Sequence, residues 1–89
     1  MANIYDYPKY YDIAFSYRDT AEEVAVMQRA IDQFSHIPVK TVLEIACGHS
    51  PHLEEILRLG YSYCGLDLSP AMLAYAREKA EKRGHDITL

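Results

Sequence analysis

The sequence is short of basic residues, of cysteine and of long apolar runs, and each shortage excludes a class of protein. Nine lysines and arginines stand against 13 acidic residues, a formal net charge of −4, so no positive field attracts nucleic acid or an anionic membrane. No apolar run approaches a membrane span, and Met1 to Tyr11 does not resemble a signal peptide. The two cysteines, Cys47 and Cys64, predict free buried thiols in a reducing compartment. We therefore expect a cytoplasmic protein without nucleic-acid or membrane partners.

What is present is the composition of one small folded domain. Of the 89 residues, 49% are hydrophobic and 25% are charged, which is ordinary for a globular protein and unlike a disordered one. A chain of this size buries about 60–65% of its unfolded surface. The sequence contains no internal repeat, linker or low-complexity tract.

Two short apolar runs, residues 41–46 and 61–66, are rich in β-forming residues and too short for helices. They are typical of buried parallel strands. Residues 87–89 look like the opening of a third strand. With helical patterns before, between and after the two runs, the order predicts an α/β fold with a parallel sheet and flanking helices.

Helix starts are predicted from capping residues. Thr20-Ala21-Glu22-Glu23 matches a capping box, with Thr20 as the N-cap. Ser50-Pro51 and Ser69-Pro70 each look like an N-cap followed by proline in the first turn. After the first of these starts, an apolar stripe recurs at helical spacing and is expected to face a core. The stripe consists of Val24, Met27, Ala30, Ile31 and Phe34.

The first 18 residues hold five of the eight tyrosines. So many large amphipathic rings must pack on something. We expect residues 1–18 to form an ordered tyrosine-rich arm over a domain formed by residues 19–89.

The segment 42–50 and Asp67 indicate a ligand that contains a nucleoside. The segment reads Val-Leu-Glu-Ile-Ala-Cys-Gly-His-Ser, an apolar strand followed by a turn of small residues, whose backbone N–H groups can approach a ligand closely. Asp67 closes the second apolar run, 19 positions beyond Gly48. A carboxylate at a strand tip can accept from both vicinal hydroxyls of a ribose.

These segments resemble the first half of a class I S-adenosylmethionine-dependent methyltransferase. That family has an acid in its first strand, a glycine-rich turn, and G-x-D-x-S-x-x-M-L around its second strand. The matching residues here are Glu44, Gly48, Asp67, Ser69, Met72 and Leu73. Ala46 and Ser50 stand where the turn more often has glycine. The resemblance covers about residues 5–89 and implies a partial Rossmann-like fold with only its first three strands.

The resemblance also implies a set of ligands and contacts. The bound partner would be S-adenosylmethionine or S-adenosylhomocysteine, with a small-molecule acceptor and catalytic residues that the chain does not reveal. Glu44 would hold the methionine ammonium group, Asp67 the ribose, and Leu68 and Met72 would flank the adenine. The turn Ala46, Cys47 and Gly48 would approach the cofactor through its backbone, and Tyr17 or Arg18 of the arm would close over it.

Most of these residues also have a plainer interpretation. Glu44 can be a partly exposed residue at the end of a strand, although a buried unpaired carboxylate is costly. Asp67 can be an acid at a helix N-terminus, and Met72 can be ordinary core. Tyr17 and Arg18 can belong to an arm that only packs.

Two further features could indicate a metal site or a nucleophile, but the sequence shows no additional ligands for the first and no general base for the second. His49 and His52 form an H-x-x-H pair, yet no carboxylate or cysteine cluster stands nearby in the sequence, so a zinc site is disfavoured. Cys47 lies near a helix N-terminus, which lowers a thiol pKa, yet no histidine is recognisable as its base. A nucleophilic role is therefore disfavoured too.

Two other functions remain open. A nicotinamide-binding Rossmann half would place G-x-G-x-x-G on Ala46, Gly48 and Pro51, so two of its three glycines are missing. A truncated, non-catalytic binding or assembly module would fit the stop at Leu89. Whichever function holds, without further strands the first strand would be an exposed edge, which we expect to be covered by a homodimer contact or by the arm, unless the natural protein continues past Leu89.

Overall fold

The computed structural model describes residues 3–89; residues 1 and 2 of the predicted arm lie outside it. The elements are a short 3-10 helix (Ile4–Asp6), α1 (Pro8–Ala14), α2 (Thr20–Phe34), β1 (Thr41–Ile45), α3 (Leu53–Arg58), β2 (Ser62–Leu66) and α4 (Pro70–Lys82). This alternation confirms the predicted α/β class. None of the helices in residues 3–89 has the length and apolar character needed to cross a membrane.

The sheet is parallel, with β2 at its centre. Strands β1 and β2 pair in register from Thr41 opposite Ser62 to Ile45 opposite Leu66. On the other side of β2, Cys64 forms a single parallel bridge with Thr88. The Thr88 N–H donates to the Tyr63 carbonyl, and the Thr88 carbonyl accepts from the Gly65 N–H. Of the predicted third strand, only this one bridge at Thr88 is formed. Because the bridge lies on the side of β2 away from β1, the spatial order is β1, β2, then the segment around Thr88.

The core lies between the sheet and the helices. Val24 of α2, Leu53 and Ile56 of α3, Tyr63 of β2 and Ala80 of α4 form one buried cluster. Packing of a single face of each helix against this cluster fixes α2, α3 and α4 around the two strands.

Two predictions about burial were wrong. Strand β1 is not buried as its apolar run predicted, since Leu43 is 57% and Ile45 is 75% exposed; it is the exposed edge that was expected in the absence of further strands. A parallel strand is buried only where strands flank it on both sides and helices cover both faces, and among residues 3–89 β1 has β2 alone as a neighbour. The stripe on α2 is also shorter than predicted, since Ala30 is exposed and Phe34 is 71% exposed. Val24, in the first turns of α2, is the residue of that helix that is fully buried.

The three predicted caps had different outcomes. Ser69 is the N-cap of α4, where its hydroxyl accepts from the Met72 N–H at 3.2 Å, as predicted. Thr20 is not the N-cap of α2; Asp19 is, and its carboxylate accepts from the Glu22 N–H at 3.0 Å. Ser50 is not a cap either, because its φ is +58° and α3 begins only at Leu53. A left-handed residue lacks the extended conformation that an N-cap needs.

The arm packs on α4. Its two short helices both contact α4, the Tyr75 hydroxyl donates to Asp12 Oδ2 at 3.1 Å, and the Ser69 hydroxyl donates to the Tyr5 carbonyl at 3.3 Å. Within the arm, the rings of Tyr11 and Phe15 lie 4.5 Å apart. Residues 3–18 of the arm therefore pack on α4 and not across the open edge of β1, so of the two coverings expected for that edge the arm is not the one found. Self-association through the edge stays a prediction.

Gly65 allows close packing between β2 and the turn after β1. A Cβ atom at this position would lie 2.8 Å from Cys47 Sγ and 3.0 Å from the Tyr63 hydroxyl oxygen. We expect Gly65→Ala to lower the free energy of unfolding by about 1–3 kcal/mol, because overpacking forces neighbours to move. Urea denaturation measures the change. The same substitution made in a Cys47→Ala background should cost clearly less, and an equal cost in both backgrounds would contradict the predicted clash.

Candidate functional site

The turn that follows β1 has an unusual backbone. Ala46, Gly48 and Ser50 all have a φ of +58°, in the left-handed region that favours glycine. Ala46 and Ser50 are the two positions where the sequence analysis noted a residue other than glycine. The N–H groups of this turn have partners within the chain: that of Cys47 donates to the Leu66 carbonyl, that of Gly48 to Asp67, and that of Ser50 to the Cys47 carbonyl.

Asp67 fastens this turn to the start of α4. Its Oδ2 accepts from the Gly48 N–H at 2.7 Å, and its Oδ1 accepts from the Ser69 N–H at 2.8 Å. An ionised carboxylate can accept about four hydrogen bonds. Asp67 therefore holds the local backbone with two of these positions and keeps acceptor capacity for a ligand.

An open cleft of about 570 Å³ lies beside this junction. Its walls are the arm (Asn3, Tyr5, Asp6 and Tyr11), the turn (Ala46 and Gly48), the segment from Asp67 to Pro70, and Met72. Met72 is almost completely buried and Leu68 is fully exposed, so one forms the floor and the other the rim. Protein pockets for small ligands commonly occupy 300–1,000 Å³, and this cleft falls within that range.

Glu44 lies next to the cleft but faces a different groove. Its side chain is 23% exposed and lines a cavity of about 340 Å³ with Val42, His52 and the first turns of α2. Oε1 accepts from the Tyr63 hydroxyl at 2.6 Å, and Oε2 lies 3.0 Å from His52 Nδ1. The carboxylate is thus paired, which removes the cost of burying it alone.

His52 lies between two carboxylates. Its Nε2 is 3.0 Å from Glu23 Oε1, and its Nδ1 makes the close ion-pair contact with Glu44. The close contact with Glu44, and then the hydrogen bond to Glu23, raise the pKa of His52 above its ordinary value against the opposing effect of burial. No local spacing predicts this arrangement, because Glu23 stands 29 residues away from His52 in the chain.

His49 has a separate environment. Lys79 Nζ lies 2.7 Å from its Nδ1, and Asp12 Oδ1 lies 3.8 Å from its Nε2. Burial, followed by the charge of Lys79, lowers the pKa of His49, so this ring accepts from lysine as a neutral imidazole. The two histidines of the H-x-x-H pair therefore contact different side chains, His52 those of Glu23 and Glu44 and His49 those of Lys79 and Asp12. In the part of the chain that the structure describes, no group of three or more metal-ligating side chains converges.

Three other residues singled out from the sequence lie away from the cleft. Cys47 is the buried residue between Ala46 and Gly48, and burial raises the pKa of its thiol; the expectation of a lowered pKa was wrong, since α3 begins only at Leu53 and burial disfavours the thiolate. Tyr17 is exposed. Arg18 Nη2 forms an ion pair with Glu23 at 2.8 Å, on the α2 side of the molecule.

Taken together, the parallel β1–α3–β2 unit and the helices that flank it define a partial Rossmann-like α/β fold. Residues 42–89, more than half of the chain, match the family model described as "Methyltransferase domain". The chain belongs to this methyltransferase family.

Several solved structures resemble the chain, two of them as follows. A structure from work on the conversion of a disulfide bond into a thioacetal group during echinomycin biosynthesis is 35% identical over 67% of this chain, with a TM-score of 0.53. An S-adenosylmethionine-dependent methyltransferase from Clostridium acetobutylicum matches 98% of the chain with a TM-score of 0.69 and 21% identity. The chain spans 25% and 36% of the lengths of these two proteins. No curated protein matches it.

The left-handed turn gives a test of backbone strain. Ala46 is exposed with a φ of +58°, and a residue with a Cβ pays about 1–2 kcal/mol in that region. We expect Ala46→Gly to raise the free energy of unfolding by about 0.5–1 kcal/mol, after the entropy of glycine in the unfolded chain is subtracted. Ala74→Gly, at an exposed position of α4, is the control and should be destabilising. Destabilisation by both substitutions would rule out strain at Ala46.

The paired histidine predicts a pH dependence of stability. Because the pKa of His52 is raised in the folded state, its contribution is complete below the unfolded value of about 6.5 and is lost as the pH rises through the folded value. We expect the difference in free energy of unfolding between the parent and His52→Gln to shrink as the pH rises above about 6.5. Urea denaturation across this range measures it. His36→Gln, in an exposed loop, should show no such trend, and a constant difference for His52→Gln would contradict the pairing.

Proposed function

We propose that this chain is the cofactor-binding half of an S-adenosylmethionine-dependent methyltransferase, acting on an acceptor that its residues do not identify. The observation that supports this most strongly is the carboxylate of Asp67, held by the Gly48 and Ser69 amides at the edge of the cleft. Membership of the methyltransferase domain family adds the class of reaction.

The adenosine part of the ligand would occupy the cleft. The unused acceptor positions of Asp67 suit the two ribose hydroxyls. Leu68 at the rim and Met72 at the floor offer apolar surfaces for the adenine ring. Gly48 lets the ligand approach the backbone, because a Cβ at this left-handed position would be strained and would contact Met72.

The amino-acid part of the ligand would lie toward Glu44. A carboxylate paired by hydrogen bonds on one side keeps acceptor positions for an ammonium group on the other. Arg18 is held by Glu23, so a contact from Arg18 or Tyr17 to the ligand carboxylate would require the arm to rearrange. When bound, S-adenosylmethionine supplies an electrophilic methyl group, and the residues described here bind and orient it. A small-molecule acceptor and a cytoplasmic location stay proposals.

Calorimetry with S-adenosylhomocysteine and NAD in parallel tests the cofactor. We expect S-adenosylhomocysteine to bind and NAD to bind much more weakly, since residues 46 and 51 are not the glycines that a dinucleotide fingerprint needs. Asp67→Asn should weaken S-adenosylhomocysteine binding by about 1.5–3 kcal/mol, because a charge-assisted contact to ribose is lost.

Controls separate ribose recognition from damage to the turn. Asp86→Asn, at an exposed position, should bind as the parent does. The preference of the parent for adenosine over its 2′,3′-dideoxy analogue should disappear in Asp67→Asn if Asp67 contacts the ribose. Preference for NAD, or an unchanged sugar preference in Asp67→Asn, would overturn the assignment.

A further inference from the structure

A chain of charged side chains joins the start of α2 to the end of β1. Arg18 pairs with Glu23, Glu23 with His52 Nε2, and His52 Nδ1 lies 3.0 Å from Glu44. Glu44 in turn accepts from the Tyr63 hydroxyl. The imidazole therefore touches the same carboxylate that, under the proposed function, receives the amino group of the cofactor.

A second cation at Glu44 would change the charge balance around His52. With His52 protonated, Arg18 offsets Glu23 and the imidazolium offsets Glu44. An ammonium group arriving at Glu44 would add a positive charge close to the imidazolium, and like charges at such a distance disfavour the protonated form. Loss of the imidazole proton restores the balance.

Histidine is the group in this cluster suited to titrate near neutral pH. Burial and the bond to Glu44 raise the pKa of Tyr63 far above its ordinary value, so Tyr63 stays a neutral donor. Burial also raises the pKa of the Cys47 thiol next to Glu44. The pKa of Glu23 is lowered by Arg18 and His52, so it stays charged. His49 faces Asp12 and Lys79 instead and belongs to a different cluster.

From this geometry we infer that His52 makes cofactor binding proton-linked: the amino group of the bound ligand and the proton on His52 compete for Glu44. This inference rests on the proposed function. His52 is a positioning residue here, since it acts on the ligand through Glu44. Binding of S-adenosylhomocysteine should release a proton and become tighter as the pH rises.

Two ligands and two variants test the linkage by calorimetry. We expect the affinity for S-adenosylhomocysteine to rise about tenfold from about pH 6 to about pH 8.5, with the heat depending on the ionisation enthalpy of the buffer. 5′-Methylthioadenosine, which has the nucleoside but no amino-acid group, should bind without that pH dependence. His52→Gln should remove the dependence for S-adenosylhomocysteine, whereas His36→Gln should keep it.

An NMR titration of the unmodified chain tests the same linkage without a variant. The pKa of the His52 ring should fall when S-adenosylhomocysteine is added and should not fall with 5′-methylthioadenosine. This measurement decides the matter even if His52→Gln does not fold.

The outcomes separate this inference from the function on which it rests. Equal pH dependence for both ligands, a dependence that survives in His52→Gln, or an unmoved His52 pKa would each overturn the proton linkage while leaving cofactor binding intact. Failure of both ligands to bind at any pH would overturn the proposed function itself.

Discussion

The carboxylate of Asp67 is the contact on which the rest of the site depends. It accepts from Gly48 and Ser69 at once, and so it joins the turn after β1 to the N-terminus of α4. Three residues of that turn are left-handed, and a backbone in such a conformation persists only where its surroundings hold it. One side chain therefore joins two walls of the cleft, which it also lines.

A second layer of polar contacts surrounds the turn on both sides. On the α2 side, His52 lies between Glu23 and Glu44; on the α4 side, His49 contacts Lys79 beneath the arm. The carboxylates raise the pKa of His52, whereas burial and then the ammonium group of Lys79 lower the pKa of His49. Two histidines three positions apart, His49 and His52, thus connect the turn to two different parts of the chain.

Much of this architecture was predictable because its signals are local. The spans of β1, β2 and α4, and the capping of α4 by Ser69, follow from short patterns of apolar residues, serine and proline. The wrong predictions concern helix N-caps, where the backbone conformation or a neighbouring residue differs from what the local pattern indicates. Ser50 precedes proline as a cap should, but its left-handed backbone forbids that role. The N-cap of α2 is Asp19 and not the predicted Thr20, because the Asp19 carboxylate accepts from the Glu22 N–H.

The sequence alone determined the order of the elements, the α/β class and the two segments that now line the cleft, since periodicity and capping act over a few residues. Only the tertiary structure decided what those segments touch. It placed Glu23 against His52, Glu44 beside Tyr63, and Asp12 near His49. These residues are far apart in the chain and come into contact because their helices and strands pack on a common core. The spacing of residues along the sequence does not predict such contacts.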